Sequence, residues 1–290
     1  MESFRRGGGP RGPAMIGTVR ESLAASPLPR LEARLLWQRV LSVPHAWLIA
    51  HDADPLEPAQ VAAYQALEAR RLAGEPIAYI LGVREFFGRD FQVTPAVLIP
   101  RPDTELLVEC GLRAVRALRA PRVLDLGTGS GIVAVTLALE RPDAQVRATD
   151  CSAEALDVAR MNARALGAKL LFSHGNWYDT ELGSAGFDLI VSNPPYIDAQ
   201  DAHLGRGDLR FEPTGALTDG ADGLQALREI VQGAPDHLAP GGFLCVEHGW
   251  DQAAAVRSLF LRRGFADVAS ERDLSGIERV TRGRLPAGFS

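Results

Sequence analysis

The chain has 290 residues, of which 46% are hydrophobic and 23% charged, with a formal net charge of −5; this length suggests two domains with an ample core. An acidic balance with no obvious basic stripe argues against a protein that grips duplex nucleic acid through its phosphates. Three scattered cysteines, Cys110, Cys151 and Cys245, show no C-x-x-C spacing, which argues against a disulfide framework or structural zinc and for a reducing cytosol, and no apolar run approaches the ~18 residues of a membrane span.

Residues 1–14, including Arg5-Arg6-Gly7-Gly8-Gly9-Pro10, carry charge with no apolar stretch behind them. They read as a flexible tail, not a signal peptide, with Met15 a candidate start. From Met15 to about residue 83 apolar positions recur at three and four residues, as in Leu28, Leu31, Leu35 and in Val61, Tyr64, Leu67. This spacing predicts a small helical domain, with Pro44 and Pro58 in first turns and Gly74 just past a helix end. Residues 84–100 form a connecting segment. Arg84 to Val93 alternates around a glycine-containing turn and predicts a β-hairpin; Pro100 and Pro102 then stiffen the approach to a helix capped by Asp103 or Thr104.

Residues 101–290 alternate strand and helix. Helices are expected near 104–118, 131–141, 152–166, 222–238 and 251–263, and strands at 122–127, 145–150, 169–174, 187–192, 242–248, 265–271 and 277–283. Such alternation implies an α/β fold with a mostly parallel sheet, whose ligands bind beyond the carboxyl ends of the strands. The strand Arg122–Leu126 runs into Gly127-Thr128-Gly129-Ser130-Gly131, and glycines there let backbone come close to a ligand. About twenty residues on, the next strand ends in Asp150, placed to accept from two ribose hydroxyls. No Lys-Ser/Thr follows the turn, and its spacing is not G-x-G-x-x-G, so a phosphate cradle and a dinucleotide site are both disfavoured. A nucleoside without phosphates fits better, and S-adenosylmethionine is one. Asp125, inside a strand, is read as accepting backbone N–H bonds from the glycine turn. Cys245, in an apolar strand, reads as a small buried hydrophobe.

Asn193-Pro194-Pro195-Tyr196 follows the apolar run Phe187–Ser192. Two prolines remove two backbone donors, leaving the Asn193 and Pro194 carbonyls free to accept from a ligand. A planar carboxamide or exocyclic amine carries two N–H donors and a delocalised lone pair. Accepting both protons, at the Asn193 side-chain oxygen and the Pro194 carbonyl, localises that lone pair and makes the nitrogen nucleophilic, while Tyr196 can cover the planar face. The loop Asp198–Asp219 is long, polar and without periodicity, and is expected to help cover the substrate. His203 within it has no partner at ligand spacing and reads as a solvated residue. Glu247 and His248 end a strand near the pocket and are read as outside direct catalysis.

With these motifs the chain resembles the seven-strand S-adenosylmethionine-dependent methyltransferases, and within them the protein-glutamine N5-methyltransferases that act on peptide chain release factors. The likeness covers nearly the whole chain after about residue 15. It rests on Val97–Glu105, the glycine turn, Asn193–Tyr196, Gly207–Pro213 and Glu247–Trp250. It implies a Rossmann-like seven-strand sheet behind a helical substrate-docking domain, in a cytoplasmic enzyme. Gly127, Thr128, Gly129, Ser130 and Gly131 would wrap S-adenosylmethionine, Asp150 would hold its ribose, Trp177 would lie against its adenine and Asn193 would border it. Asn193, Pro194, Pro195 and Tyr196 would hold the glutamine of a Gly-Gly-Gln tip, with Asn193, Pro194 and Tyr196 catalytic and no metal. Asn176 departs from the family, where an acid often precedes the tryptophan. The expected reaction is in-line attack of the glutamine nitrogen on the sulfonium methyl. Two rival substrates share this chemistry: a ribosomal-protein glutamine, and an adenine N6 amine in nucleic acid, which the acidic total and the helical front module oppose.

Overall fold

The computed structural model describes residues 17–182 and 186–288. The expected tail over 1–14 and the candidate start at Met15 lie outside the described residues. Two compact units divide between Leu81 and Gly82.

The first unit contains α1 (Val19–Ala25), α2 (Arg30–Leu41), α3 (His45–Ala50), α4 (Pro58–Leu72) and α5 (Ile77–Leu81). Thr18 caps α1 by accepting from the Glu21 N–H, and Pro58 opens α4 where its missing N–H costs nothing. Pro44 sits one position earlier than expected, at the N-cap of α3. The core is Val19, Ala33, Leu36, Trp37, Leu48, Tyr64 and Ile80, with Trp37 stacked on Tyr64 at 4.4 Å. This corrects the expected face of α2: Leu31 is 66% exposed, while Ala33, Leu36 and Trp37 are fully buried. Trp37 sets the phase, because it has the largest area to bury and its indole N–H finds the Ser22 hydroxyl at 2.9 Å.

The second unit opens with the hairpin of β1 (Val83–Phe86) and β2 (Arg89–Gln92). Its two-residue turn, Phe87-Gly88, has φ of 52° and 72°, the left-handed pair that matches hairpin twist. Then follow α6 (Glu105–Ala114), β3 (Arg122–Leu126), α7 (Ile132–Glu140), β4 (Gln145–Asp150), α8 (Ala153–Leu166), β5 (Leu171–His174), β6 (Phe187–Ser192), α9 (Thr214–Leu217), α10 (Gln225–His237), β7 (Leu238–Glu247), α11 (Ala253–Arg262), β8 (Ala266–Arg272) and β9 (Glu278–Arg284). The hairpin is held within this unit: Asn162 of α8 accepts from the Gln92 N–H and donates to the carbonyls of Gln92 and Ser130.

The seven-stranded sheet has the order β5-β4-β3-β6-β7-β9-β8. Strands β3 to β7 pair in parallel, and β9 runs antiparallel between β7 and β8. Successive residues serve opposite faces: Val123, Leu189, Val191 and Cys245 join one core cluster with residues of α6 and α7, and Leu124, Ile190, Leu244 and Val246 join another with residues of α10 and α11. Leu124, Ile190 and Leu244 stand in register across three strands, each fully buried and each contributing roughly 2 kcal/mol of transfer free energy. The chain reverses its direction of sheet growth at β3, where β4 and β6 flank it. That switch point, at the carboxyl ends, is where an open α/β sheet leaves a crevice.

The expected helix at 104–118 ends earlier, at Ala114, and a 3₁₀ turn over Pro102–Thr104 precedes it. The strand expected at 242–248 begins at Leu238, because Phe187 pairs with Leu238 before a register shift restores pairing from Leu189 to Phe243.

Candidate active site

Beyond the ends of β3, β4 and β6 lies an open-mouthed cavity of about 240 Å³. Its lining includes Gly127, Thr128, Gly129, Ser130, Asp150, Trp177, Asn193 and Pro195, but not Gly131. A smaller recess adjoins it, lined by Asn193, Pro194 and Tyr196 with Leu209 and Leu217. Leu98, Arg101, Asn193 and Ala216 border both.

The glycine turn is pinned to the end of β4: the N–H groups of Gly127 and Thr128 both donate to the Thr149 carbonyl at 2.9 Å. Gly127 has φ of 70°, and a Cβ there would come 3.1 Å from the Trp177 ring. Strain and space therefore both demand glycine. Trp177 itself is held at φ of 46°, an uncommon conformation for a bulky residue of the kind that gathers at ligand sites. Asn176 opens this turn, its carbonyl accepting from the Asp179 N–H at 2.8 Å.

Asp150 accepts from the N–H of Gly129 at 2.8 Å and of Ser152 at 2.9 Å, one on each oxygen. Burial raises its pKa, against the pull of these backbone donors. Asp125 departs from its expected role. It takes the Thr128 hydroxyl at 2.7 Å and the Ala134 N–H at 3.2 Å, so its backbone partner belongs to α7, and the turn's own N–H from Gly129 goes to Asp150. Burial pushes the Asp125 carboxyl up to about 7.

Asn193 lies directly past β6. Its Nδ2 donates to the Thr104 hydroxyl at 3.1 Å, and among the described residues its Oδ1 makes no hydrogen bond. Thr104 is 1% exposed. It stands at the N-cap of α6 without making a cap hydrogen bond, so the expected capping role of Asp103 or Thr104 is replaced by contact with the site. The Pro194 carbonyl belongs to a buried residue at the recess. Tyr196 donates its hydroxyl to Glu247 Oε1 at 3.2 Å and gives its carbonyl to Gln252 Nε2 at 2.9 Å. Gly223 has φ of 72°, and any Cβ there would fall 2.3 Å from the same carbonyl.

The loop expected to cover the substrate is more ordered than its lack of periodicity suggested. It contains a 3₁₀ turn over Gly207–Phe211 and then α9, and its Pro213, Gly215 and Ala216 wall the larger cavity. Glu212 anchors it, accepting from the Ile99 N–H at 2.9 Å and pairing with Arg101. No sequence signal marks that pair, whose members stand 111 residues apart. His203 is exposed and bonds only locally, to Asp201 at 2.7 Å. His248 is fully buried and turned to Thr281, its Nε2 lying 2.9 Å from that hydroxyl. Among the described residues no cluster of acids, histidines and cysteines could hold a metal.

Glu247 is 1% exposed, and burial pushes its carboxyl up to about 7 from 4.5. The folded chain therefore holds this proton more tightly than the unfolded chain. The group's contribution to stability is full below its unfolded pKa and is lost as pH climbs toward its folded one. Glu247→Gln cannot ionise. Relative to wild type it should gain up to about 3 kcal/mol between about pH 5 and about pH 8, measured as the difference in denaturant midpoints multiplied by m. A difference that stays level with pH would contradict the buried carboxylate.

A family described as "PrmC N-terminal domain" matches residues 16–82, and one described as "Methyltransferase small domain" matches 102–207. The chain is 58% identical to the release factor glutamine methyltransferase of Bordetella pertussis, covering 92% of this chain and 100% of that one. It is 55% identical to that of Burkholderia pseudomallei, covering 93% and 96%. A 16S rRNA methyltransferase of T. Thermophilus, solved in complex with AdoMet and guanosine, superposes with a TM-score of 0.52 at 21% identity, over 70% of this chain and 49% of that one; this likeness is one of fold.

Proposed function

Because this chain belongs to the release factor glutamine methyltransferase family, we propose that Asn193 and Pro194 grip the side-chain amide of a release factor glutamine and that the larger cavity takes S-adenosylmethionine. The chain is an enzyme, and its reaction is methyl transfer to that glutamine. The nitrogen methylated is N5, in a Gly-Gly-Gln tip.

One observation carries the assignment of the grip. Asn193 sits between the two cavities with its amide nitrogen already given to Thr104, so its oxygen remains to accept a proton. Pro194 adds a carbonyl, and the ring of Pro195 removes a donor that could repel the substrate N–H groups. Two acceptors aimed at one planar amide select its plane and localise its nitrogen lone pair. Tyr196, tied to Glu247, is a stiff wall for the recess.

The larger cavity fits S-adenosylmethionine on its own features. Gly127, Thr128, Gly129 and Ser130 line it in the turn where backbone meets the ligand, while Gly131 packs against Ala159, and a Cβ on Gly129 would meet nothing within 4 Å. Asp150 stands as the ribose acceptor and Trp177 as the adenine wall. When bound there, S-adenosylmethionine supplies an electrophilic methyl group on a good leaving group. The protein's part is to align the amide nitrogen with that methyl and exclude competing orientations, a positioning effect that lowers the barrier without metal or covalent attachment. Positive charge growing on the nitrogen meets the Asn193 and Pro194 oxygens, held beforehand in place. The surplus proton leaves to water. The helical unit is read as the docking module for the protein substrate, and three free cysteines fit a reducing cytosol.

Labelled S-adenosylmethionine offered to purified release factor, to its tip Gln→Ala variant and to duplex DNA tests this reading. Label on the unaltered factor alone is expected. Label on the variant or on DNA would overturn it, and the KM for whole factor against a short glutamine peptide reads the docking contribution.

A further inference from the structure

Among the described residues the two most exposed large hydrophobic side chains are Leu274, wholly in solvent, and Trp250, 71% exposed. Single exposed apolar residues are common, but these two share one edge of the sheet. Ser192 of β6 stands opposite Val246 of β7, and Glu247 stands opposite Val280 of β9. The chain after Glu247, which carries Trp250, and the turn from β8 into β9, which carries Leu274, therefore both leave the sheet at the edge where Asn193 follows β6.

Ordered backbone holds both side chains out. Asp273 Oδ1 accepts from the N–H groups of Ser275 and Ile277 at 2.9 Å each. That fixes the turn with Leu274 near its apex, a place ordinarily taken by Gly, Asn, Asp or Ser. In the other turn Gly249 donates its N–H to Gln252 Oε1 at 2.8 Å, while Nε2 of that glutamine holds the Tyr196 carbonyl. Trp250 thus rides on a turn bonded to the wall of the recess. Arg279 binds the two turns together: its carbonyl accepts from the His248 N–H at 2.9 Å, and its Nε pairs with Asp273 at 3.4 Å. Its Nη2 pairs with Asp103 at 3.3 Å, two residues from Arg101, which borders both cavities. Ordering two turns in this way costs conformational entropy, and the apolar side chains they present gain no burial in the free enzyme.

We propose that Trp250 and Leu274 form a docking rim for the release factor, packing on apolar surface beside its Gly-Gly-Gln tip. This rests on the reading of the recess given above. A glutamine side chain is short, so a tip whose amide reaches Asn193 brings the body behind it down onto this edge. Tryptophan on a rigid frame is the residue type that most often carries binding energy at an interface. The rim touches neither cofactor nor amide. It therefore holds ground state and transition state alike, which lowers KM for the whole factor and leaves kcat unchanged.

The test measures KM and kcat for whole release factor and for a short Gly-Gly-Gln peptide, with S-adenosylmethionine saturating, beside the Kd for S-adenosylmethionine by calorimetry. Trp250→Ala should raise the KM for whole factor by about tenfold or more, and Leu274→Ser by about fivefold, with kcat within about twofold of wild type. Both variants should keep the kcat/KM for the peptide and the cofactor Kd within about twofold, which also shows that they fold. Leu171→Ser, at an exposed leucine on the amino end of β5, is the control and should leave the KM for the factor unchanged. A wild-type KM for the factor in both rim variants overturns the proposal. So does an equal loss on peptide and factor, which would place the effect in the recess, or a rise as large in the Leu171 variant. If the pair instead joins two copies of this chain, light scattering would show an altered molar mass in the variants with the KM for the factor unmoved, and the docking role would fall. Methylation of the tip Gln→Ala factor by the wild type would sink the recess reading itself, and the rim with it.

Discussion

Asn193→Ala is expected to lower kcat by about two to three orders of magnitude, the range seen when one preorganised polar group is removed from a site where charge develops. The Kd for S-adenosylmethionine should change by less than about threefold. The asymmetry follows from position. Asn193 borders the larger cavity but offers its unbonded oxygen at the junction with the recess, where the amide nitrogen would sit. Alanine removes an acceptor that grows in value as the nitrogen becomes positive, and leaves the buried Thr104 hydroxyl short of a partner. Pre-steady-state methyl transfer with both ligands saturating separates this from slow product release. Equal losses in turnover and cofactor affinity would place Asn193 among the cofactor contacts and out of the grip.

Asp150→Ala should act on the other ligand, weakening S-adenosylmethionine by roughly a hundredfold, the scale of two hydrogen bonds to a charged acceptor. Part of that loss comes from the protein. Asp150 holds the Gly129 and Ser152 N–H groups, so its removal costs the glycine turn one of its ties to the end of β4, the bonds of Gly127 and Thr128 to the Thr149 carbonyl remaining. Asp150→Asn keeps one acceptor oxygen and should fall between wild type and alanine. Once saturated with cofactor, the alanine variant should recover kcat to within about tenfold, because the glutamine grip is untouched. Calorimetry on the ligand-free enzyme reads the first effect directly; a Kd within about threefold of wild type would remove Asp150 from the ribose site.

These two residues were legible because their motifs are local. A strand, a glycine turn and an acid at the next strand's end lie within 30 residues, and Asn193-Pro194-Pro195-Tyr196 is contiguous. Asp125 shows where local reasoning slips. Its burial and its need for donors were foreseeable, but which N–H groups it meets depends on how α7 leaves the turn, and Ala134 rather than Gly129 is the one in reach. Thr104 was visible as a helix cap, the ordinary use of a threonine before a helix. Its actual partner is 89 residues away. Leu31 fell on the expected apolar stripe yet is exposed, since the stacking of Trp37 on Tyr64 rotates α2 about its axis.

The sequence by itself determined the alternation that makes a parallel sheet, the chemistry available at each strand end, and the type of ligand each motif could accept. Periodicity and backbone stereochemistry act over a few residues and are written there. Only the tertiary structure decided which distant side chains complete those motifs: Thr104 behind Asn193, Glu247 behind Tyr196, Glu212 locking the covering loop to Arg101, Asn162 tying the hairpin to the glycine turn. Their hydrogen bonds are between groups that the chain brings together from far apart, and a hydrogen bond depends on distances and angles that no local pattern of residues encodes.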